Sequence, residues 1–260
     1  MDNRVLEHRF AVIGARVKVE DRPWLGMPTI DIRSDRRGEY FSLRFPAEGR
    51  EVELDVVDTW PEGRHLLLLV RDGADKSKFL FGHDERHWFV AAIPESARGV
   101  SGVATAMRAL QPDAVRDAVR RAKPKDPFRR KNKAFIRQGE WFFVPEPRLD
   151  VADSLVLYNE PLSRGARTAH LMELAFRRGG ETVYVSRRYP SGLTHDEYRA
   201  LPDRERRSES WDEMVRDAEV YASGAIRHPD HATIVLPGWH RVLMNTEQGA
   251  RAMRHVAFLD

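Results

Sequence analysis

HLLLLVRDGADKSKFLFGHDERHWFVAAIP, residues 65–94, decides what kind of fold to expect. HLLLLVRD is one short apolar run, and KFLFGHDERHWFVAAIP is two more joined by the polar connection GHDER, the pattern of a strand followed by a hairpin. Toward the N-terminus, RFAVIGARVKV, TIDIR, EYFSLRF and EVELDVVD are equally short and often alternate apolar with polar residues. Turn formers separate them: Trp24-Leu-Gly-Met-Pro28, Asp35-Arg-Arg-Gly38 and Pro61-Glu-Gly63. The first ninety residues are therefore expected to form a small antiparallel sheet or barrel.

Toward the C-terminus the pattern changes. Val100 to Leu110 is Ala-rich with apolar residues at helical spacing, and Pro112 suits the first turn of a second helix that runs to Ala122 and is ended by Pro124 and Pro127. AFIRQGEWFFV, 134–144, is a hairpin turning at Gln138-Gly139, with Pro145 and Pro147 at its boundary. Thr168 to Arg178 has the spacing of an amphipathic helix closed by Gly179-Gly180, and ETVYVSRR is the strand after it. Thr194-His-Asp-Glu197 and Ser210-Trp-Asp-Glu213 both match the capping box that opens a helix. HATIVLPGWHRVLMN, 231–245, is two strands joined by a Pro237-Gly238 turn. The expected architecture is α+β: an N-terminal, mostly antiparallel β region, a central helix pair, and a C-terminal mixed α+β region. Its segments are a β-rich region with the helix pair over 1–123, a basic connector and aromatic hairpin over 124–147, and an α+β region over 148–260.

Composition narrows the function classes. With 260 residues, 42% hydrophobic and 32% charged, the chain can bury a sizeable core without covalent staples. The absence of cysteine excludes disulfides, thiolate metal sites and cysteine nucleophiles, and it fits a reducing compartment. No apolar run is long enough to span a bilayer, and charges interrupt the N-terminus where an export signal needs an unbroken apolar core. A soluble, cytoplasmic protein without a membrane partner is expected. P-loop, dinucleotide-binding and nucleophile-elbow patterns are all missing, which disfavours nucleotide-cofactor chemistry of the common kinds.

Charge is distributed unevenly. Between Arg116 and Arg137 ten Lys/Arg stand against two Asp, a local +8 that leaves the rest of the chain at −5 of the overall +3. Arg120, Arg121, Lys123, Lys125, Arg129, Arg130, Lys131, Lys133 and Arg137 form a belt able to neutralise phosphates. The neighbouring Trp141 offers a ring for base stacking. Alternation along that strand sends Trp141 and Phe143 to one face and Phe142 to the other, so at least one face is core. The leading expectation is a nucleic-acid-binding protein, for RNA or single strands rather than sequence-specific duplex, acting as a subunit of a ribonucleoprotein or nucleic-acid-processing complex with other protein subunits and no cofactor.

The alternative is a His/Asp-dependent hydrolase or nuclease, with or without a divalent metal. Its candidates are His228, Asp230, His231 and His240, together with His83 of the GHDER connection and His87 just after it. His83 and His87 have the four-residue spacing that lets two imidazoles chelate zinc on a helix, but their flanks are strand-like. Around a Pro237-Gly238 turn, His231 falls about 13 Å from His240 at about 3.3 Å per residue, so His228, Asp230 and His231 need partners from elsewhere, such as His170 or His195. A third class, a structural or adaptor subunit without chemistry, has no positive signature.

His228-Pro-Asp-His231 followed by Gly238-Trp239 is similar to the T-x-x-H block of Hint self-splicing domains. His228 stands where that family has threonine, and the chain holds no cysteine, so no splicing activity is inferred. The nucleic-acid expectation predicts affinity for labelled single strands that weakens steeply with salt. Replacing Arg129, Arg130, Lys131, Lys133 and Arg137 with Ala or Gln should abolish that binding.

Overall fold

The computed structural model describes residues 2–20, 29–45, 52–162 and 168–247, and the expected turn at 24–28 lies outside them. Helix α1 (Asn3–Val12) starts at Asp2, whose carboxylate accepts the Arg4 N–H at 3.0 Å. Strand β1 (Val17–Glu20) lies parallel to β3 (Gly38–Arg44), which pairs antiparallel with β2 (Thr29–Asp35). β4 (Val52–Trp60), β5 (His65–Asp72), β6 (Asp75–Asp84) and β7 (His87–Ala92) follow as an antiparallel meander in chain order.

Two short helices come next, α2 (Val103–Ala109) and α3 (Asp113–Ala122), and then β8 (Ile136–Gln138), β9 (Trp141–Pro145), a 3-10 turn at Asp153–Leu155, β10 (Leu157–Leu162) and β11 (His170–Arg178). β12 (Glu181–Val185), β13 (Leu193–Thr194), α4 (His195–Ala200), α5 (Asp203–Ser208) and β14 (Asp212–Arg216) form a small appendage around the sheet β13-β12-β14. β15 (Glu219–His228) and β16 (His231–Met244) complete a six-stranded sheet of order β10-β11-β15-β16-β9-β8.

The four consecutive leucines of β5 are explained by a sheet covered on both faces. Leu66 and Leu68 point into a core with Phe10 of α1, Phe41 of β3, and Phe79 and Phe81 of β6. Leu67 points the other way, against Leu80, Ala91 and the α2 residues Val103 and Ala106. The rings of Phe10, Phe41 and Phe81 meet at 4.8–5.6 Å in tilted and edge contacts. β9 repeats the device in the second large sheet. Trp141 and Phe143 enter the core under β11, β15 and β16, while Phe142 and Val144 pack with Phe135 beneath Val115 and Ala118 of α3.

The α+β expectation with a central helix pair is overturned: strands make up 49% and helices 19%, in four sheets with only five short α-helices among the described residues. α2 and α3 cover sheets and do not organise the fold. Four local signals misled. RFAVIGARVKV was expected to be a strand; Val17 to Val19 do belong to β1, but Arg9 to Val12 belong to α1, whose buried face of Leu6 and Phe10 begins before that window. Thr168 to Arg178 was expected to be a helix. A bulge between Met172 and Leu174 shifts the strand phase, so that the buried residues His170, Met172 and Ala175 mimic helical spacing.

Ser210 to Glu213 does not cap a helix. Asp212–Arg216 pairs with β12 instead, supported by an Arg216–Glu181 ion pair at 2.7 Å. Finally, Pro237-Gly238 is not a turn. β16 runs straight through it, with residues 237–239 bulging opposite Ser223, and the real reversal is at Pro229-Asp230, where His228 pairs with His231. The Thr194 box does form, with Glu197 N–H bonding the hydroxyl at 3.3 Å and Thr194 N–H bonding the carboxylate at 2.8 Å.

Leu67→Ala should cost about 2–5 kcal/mol, since Leu67 is fully buried between the meander and α2. The check is a urea unfolding midpoint with an unchanged denaturant slope.

Candidate metal centre

Three histidines converge at one end of the six-stranded sheet. The tight turn at Pro229-Asp230 makes His228 and His231 cross-strand partners, and the pairing of Leu171 with Arg227 sets His170 beside His228 on the next strand. Adjacent strands lie about 4.8 Å apart, which stacks their side chains at about that spacing. The ring centroids are 4.4 Å (His170–His228), 4.9 Å (His228–His231) and 5.5 Å (His170–His231) apart. One donor nitrogen from each lies within 4.8 Å of the others. Tetrahedral zinc at about 2.0–2.1 Å from each nitrogen needs donors about 3.4 Å apart, so small ring rotations would close the set.

Tautomer and charge favour ligation. Thr168 C=O accepts from His228 Nε2 at 3.2 Å, which puts the proton on Nε2 and leaves the Nδ1 lone pair to accept Asp230 N–H at 3.2 Å. A backbone carbonyl on the far nitrogen is the usual outer partner of a metal-bound imidazole. His170 is 3% exposed and its Nε2 has no hydrogen-bond partner. Burial, reinforced by the neighbouring His228 and His231, pushes His170 down to about 3. His231 is also lowered, chiefly by burial. At His170 and His231 burial favours the neutral imidazole that a divalent ion requires, whereas ligation by His228 Nδ1 would displace the Asp230 N–H.

The surrounding shell fixes His231. The next residue, Ala232, donates its N–H to Glu85 Oε2 at 2.6 Å, and its carbonyl accepts from the fully buried Gln138 Nε2 at 2.7 Å. Gly139, at φ +56°, passes so close that a Cβ there would stand 3.1 Å from His231 Nε2 and 3.7 Å from His170 Nε2. Glu85 is ion-paired with Arg130, and Asp84 with Arg137 at 3.0 Å and Arg130 at 3.5 Å. The two carboxylates are only 6% and 11% exposed, and unpaired charges at that depth would be costly.

The other expected site residues lie apart. His83 and His87 flank a hairpin turn, not a helix: His83 meets Trp88 edge-on at 4.9 Å and His87 Nδ1 lies 2.9 Å from Glu39. That connection reaches the histidine cluster through Asp84 and Glu85 instead. His240 is nine residues along β16 from His231, buried, with its Nδ1 2.8 Å from Gly238 O. His195 lies on the appendage, 3.2 Å from the Tyr184 hydroxyl.

Trp141 is buried in the core and presents no stacking face. Of the basic belt, Arg120 is paired with Asp117, and Arg130 and Arg137 with Glu85 and Asp84. Arg121, Lys123, Lys125, Arg129, Lys131 and Lys133 are exposed.

The cluster opens on a cavity of about 710 Å³ between the β4–β7 meander and the six-stranded sheet. Trp88, Phe89, Phe128, Gln111, Arg137 and Asn245 share its wall with the three histidines. Gln138 and Gly139 gave no signal beyond a hairpin turn. Comparison with protein-family models, curated proteins and solved structures returned no match. No helix among the described residues is long and apolar enough to cross a membrane.

Burial holds His65 and His240 below the ordinary histidine value, so the native protein takes up a proton at either less readily than the unfolded chain does. Below about pH 6.5 the unfolded chain binds protons that the native state refuses, so stability is full above that pH and falls as pH drops. The unfolding free energy should decline there by at most about 1.4 kcal/mol per pH unit for each such group. His240→Gln should flatten the decline between pH 6.5 and 5, measured by urea unfolding.

Proposed function

We propose that the chain is a metal-assisted hydrolase of anionic esters, with a divalent ion held by His170, His228 and His231. One observation carries this reading: three imidazoles from three adjacent strands meet at a cavity wall, and the most deeply buried has an unpartnered nitrogen. When bound, such an ion supplies Lewis acidity to an ester oxygen and makes a water molecule acidic near neutral pH. Asp230, whose carboxylate lies 3.9 Å from His228 Nδ1 and is largely exposed, is the proton acceptor in this scheme. Glu85 and Gln138 act as positioning residues through Ala232.

The test pairs metal analysis with turnover. The purified protein should take up one zinc, manganese or cobalt ion and hydrolyse bis(4-nitrophenyl) phosphate in a chelator-sensitive way. His170→Ala should weaken metal binding by at least about a hundredfold. Asp230→Asn should keep the metal and lower kcat by about 10²–10⁴. Chelator-insensitive turnover, or no stoichiometric ion, defeats the reading.

The exposed row Arg121, Lys123, Lys125, Arg129, Lys131 and Lys133 favours a second reading, a polyanion-binding surface without chemistry. Since Arg130 and Arg137 stabilise buried carboxylates, its clean test is Arg129/Lys131/Lys133→Gln in a salt titration with single strands. No loss of affinity in that variant excludes it.

A further inference from the structure

We infer that Gly139 keeps one coordination position of the three-histidine centre open toward the cavity, so that the side chain at 139 decides whether the bound ion can take a ligand from outside the chain. The inference rests on the metal reading and adds the residue that makes such a centre reactive. Structural sites close all four positions of a tetrahedral ion with protein groups, whereas catalytic sites leave one free. Three imidazoles, with no carboxylate in the set, account for three positions here. The backbone passing beside them decides what can stand at the fourth.

Gly139 opens the two-residue turn between β8 and β9, where Gln138 pairs with Trp141. It has φ +56°, and a Cβ there would stand 3.1 Å from His231 Nε2 and 3.7 Å from His170 Nε2. None of the three atoms nearest that point belongs to His228, so the point lies over the His170–His231 edge of the set. An ion about 2.1 Å from both nitrogens is at most about 5.2 Å from it. An oxygen bound to the ion on this side comes within about 3.1 Å of the point, closer than an ordinary carbon–oxygen contact of about 3.3–3.6 Å. Gly139 lines the cavity together with the three histidines, so the space left by its missing side chain is continuous with the cavity.

Among the described residues, His170 Nε2 is buried without a hydrogen-bond partner, and Nε2 is the His231 nitrogen turned to Gly139. Both rings therefore present Nε2 to the ion. The His231 proton is left on Nδ1, which is buried and unpartnered, and the same turn holds a buried acceptor that also lacks a partner, Gln138 Oε1. An acceptor for the far nitrogen is what orients a ligating imidazole.

Turn geometry by itself also asks for glycine, since the first residue of such a turn has positive φ. Gly73 shows that requirement in isolation: it opens the β5–β6 turn between Asp72 and Asp75 at φ +60°, and a Cβ there meets nothing within 4 Å. The two glycines share a backbone conformation and differ in what a methyl group would touch.

The experiment loads the full chain with cobalt(II) and titrates it with imidazole, read by the visible absorption of the ion. Imidazole is neutral, so Asp84 and Asp230 on the cavity wall do not repel it. The wild-type protein should bind cobalt and then change its spectrum as imidazole takes the free position. Gly139→Ala should hold cobalt within about tenfold of wild type, weaken the imidazole response at least about tenfold, and lower bis(4-nitrophenyl) phosphate turnover with it. Gly73→Ala should carry the same turn strain and change none of these. Should Gly139→Ala not fold, Gly139→Asn takes positive φ more readily, brings the same Cβ and reads the same effect.

A wild-type cobalt spectrum that ignores imidazole, or an equal response in wild type and Gly139→Ala, overturns the inference and spares the metal reading. Loss of cobalt itself in Gly139→Ala overturns it too, because the methyl group would then stand where the ion sits. No cobalt uptake by the wild-type chain overturns the metal reading, and the open position falls with it.

Discussion

The amide of Ala232 is held on both sides by side chains distant in sequence, its N–H by Glu85 and its C=O by Gln138. Glu85 comes from the turn of the β6–β7 hairpin and Gln138 from the end of β8. The Glu85 bond therefore ties the N-terminal meander to the six-stranded sheet at the residue next to His231, and the Gln138 bond braces that residue from within the sheet. Without them, the last turn of the β15–β16 hairpin would carry its imidazoles on an unsupported loop. Arg130 and Arg137 belong to the same constraint, because they pair with the deeply buried Glu85 and Asp84, and removing either partner of such a pair is costly.

The basic belt consequently divides into two parts of different physical character. Arg130 and Arg137 are structural cations, spent on Asp84 and Glu85 beneath the histidine cluster. Arg129, Lys131 and Lys133, their immediate neighbours, extend into solvent. Alternation along an irregular segment separates the two sets, one turned to the protein and the other to water. A charge count along the chain registers their sum and cannot distinguish them.

Much of the β architecture was legible because its signals are local. The runs HLLLLVRD and KFLFGHDERHWFVAAIP form β5, β6 and β7, and the alternation of Trp141, Phe142 and Phe143 sends them to opposite faces of β9. At the site, the pairing of His228 with His231 was hidden by the Pro237-Gly238 dipeptide, which looks like a turn but acts as a bulge between strands that pair on both sides. His170 was concealed by the bulge in β11, which gives a strand the apolar spacing of a helix. Capping-box chemistry was readable at Thr194 and misleading at Ser210, because a four-residue pattern is overruled when β12 offers a strand partner.

The sequence alone determined that the chain builds a core without cysteine, that its N-terminal part is a meander of short strands, and that one segment concentrates positive charge. These properties depend on composition and near-neighbour spacing. Only the tertiary structure decided which histidines meet, which cations are neutralised, and that a cavity lies between the two large sheets. Each of those depends on pairing between strands far apart in the sequence, where a register shift of one residue reverses the face on which a side chain lies.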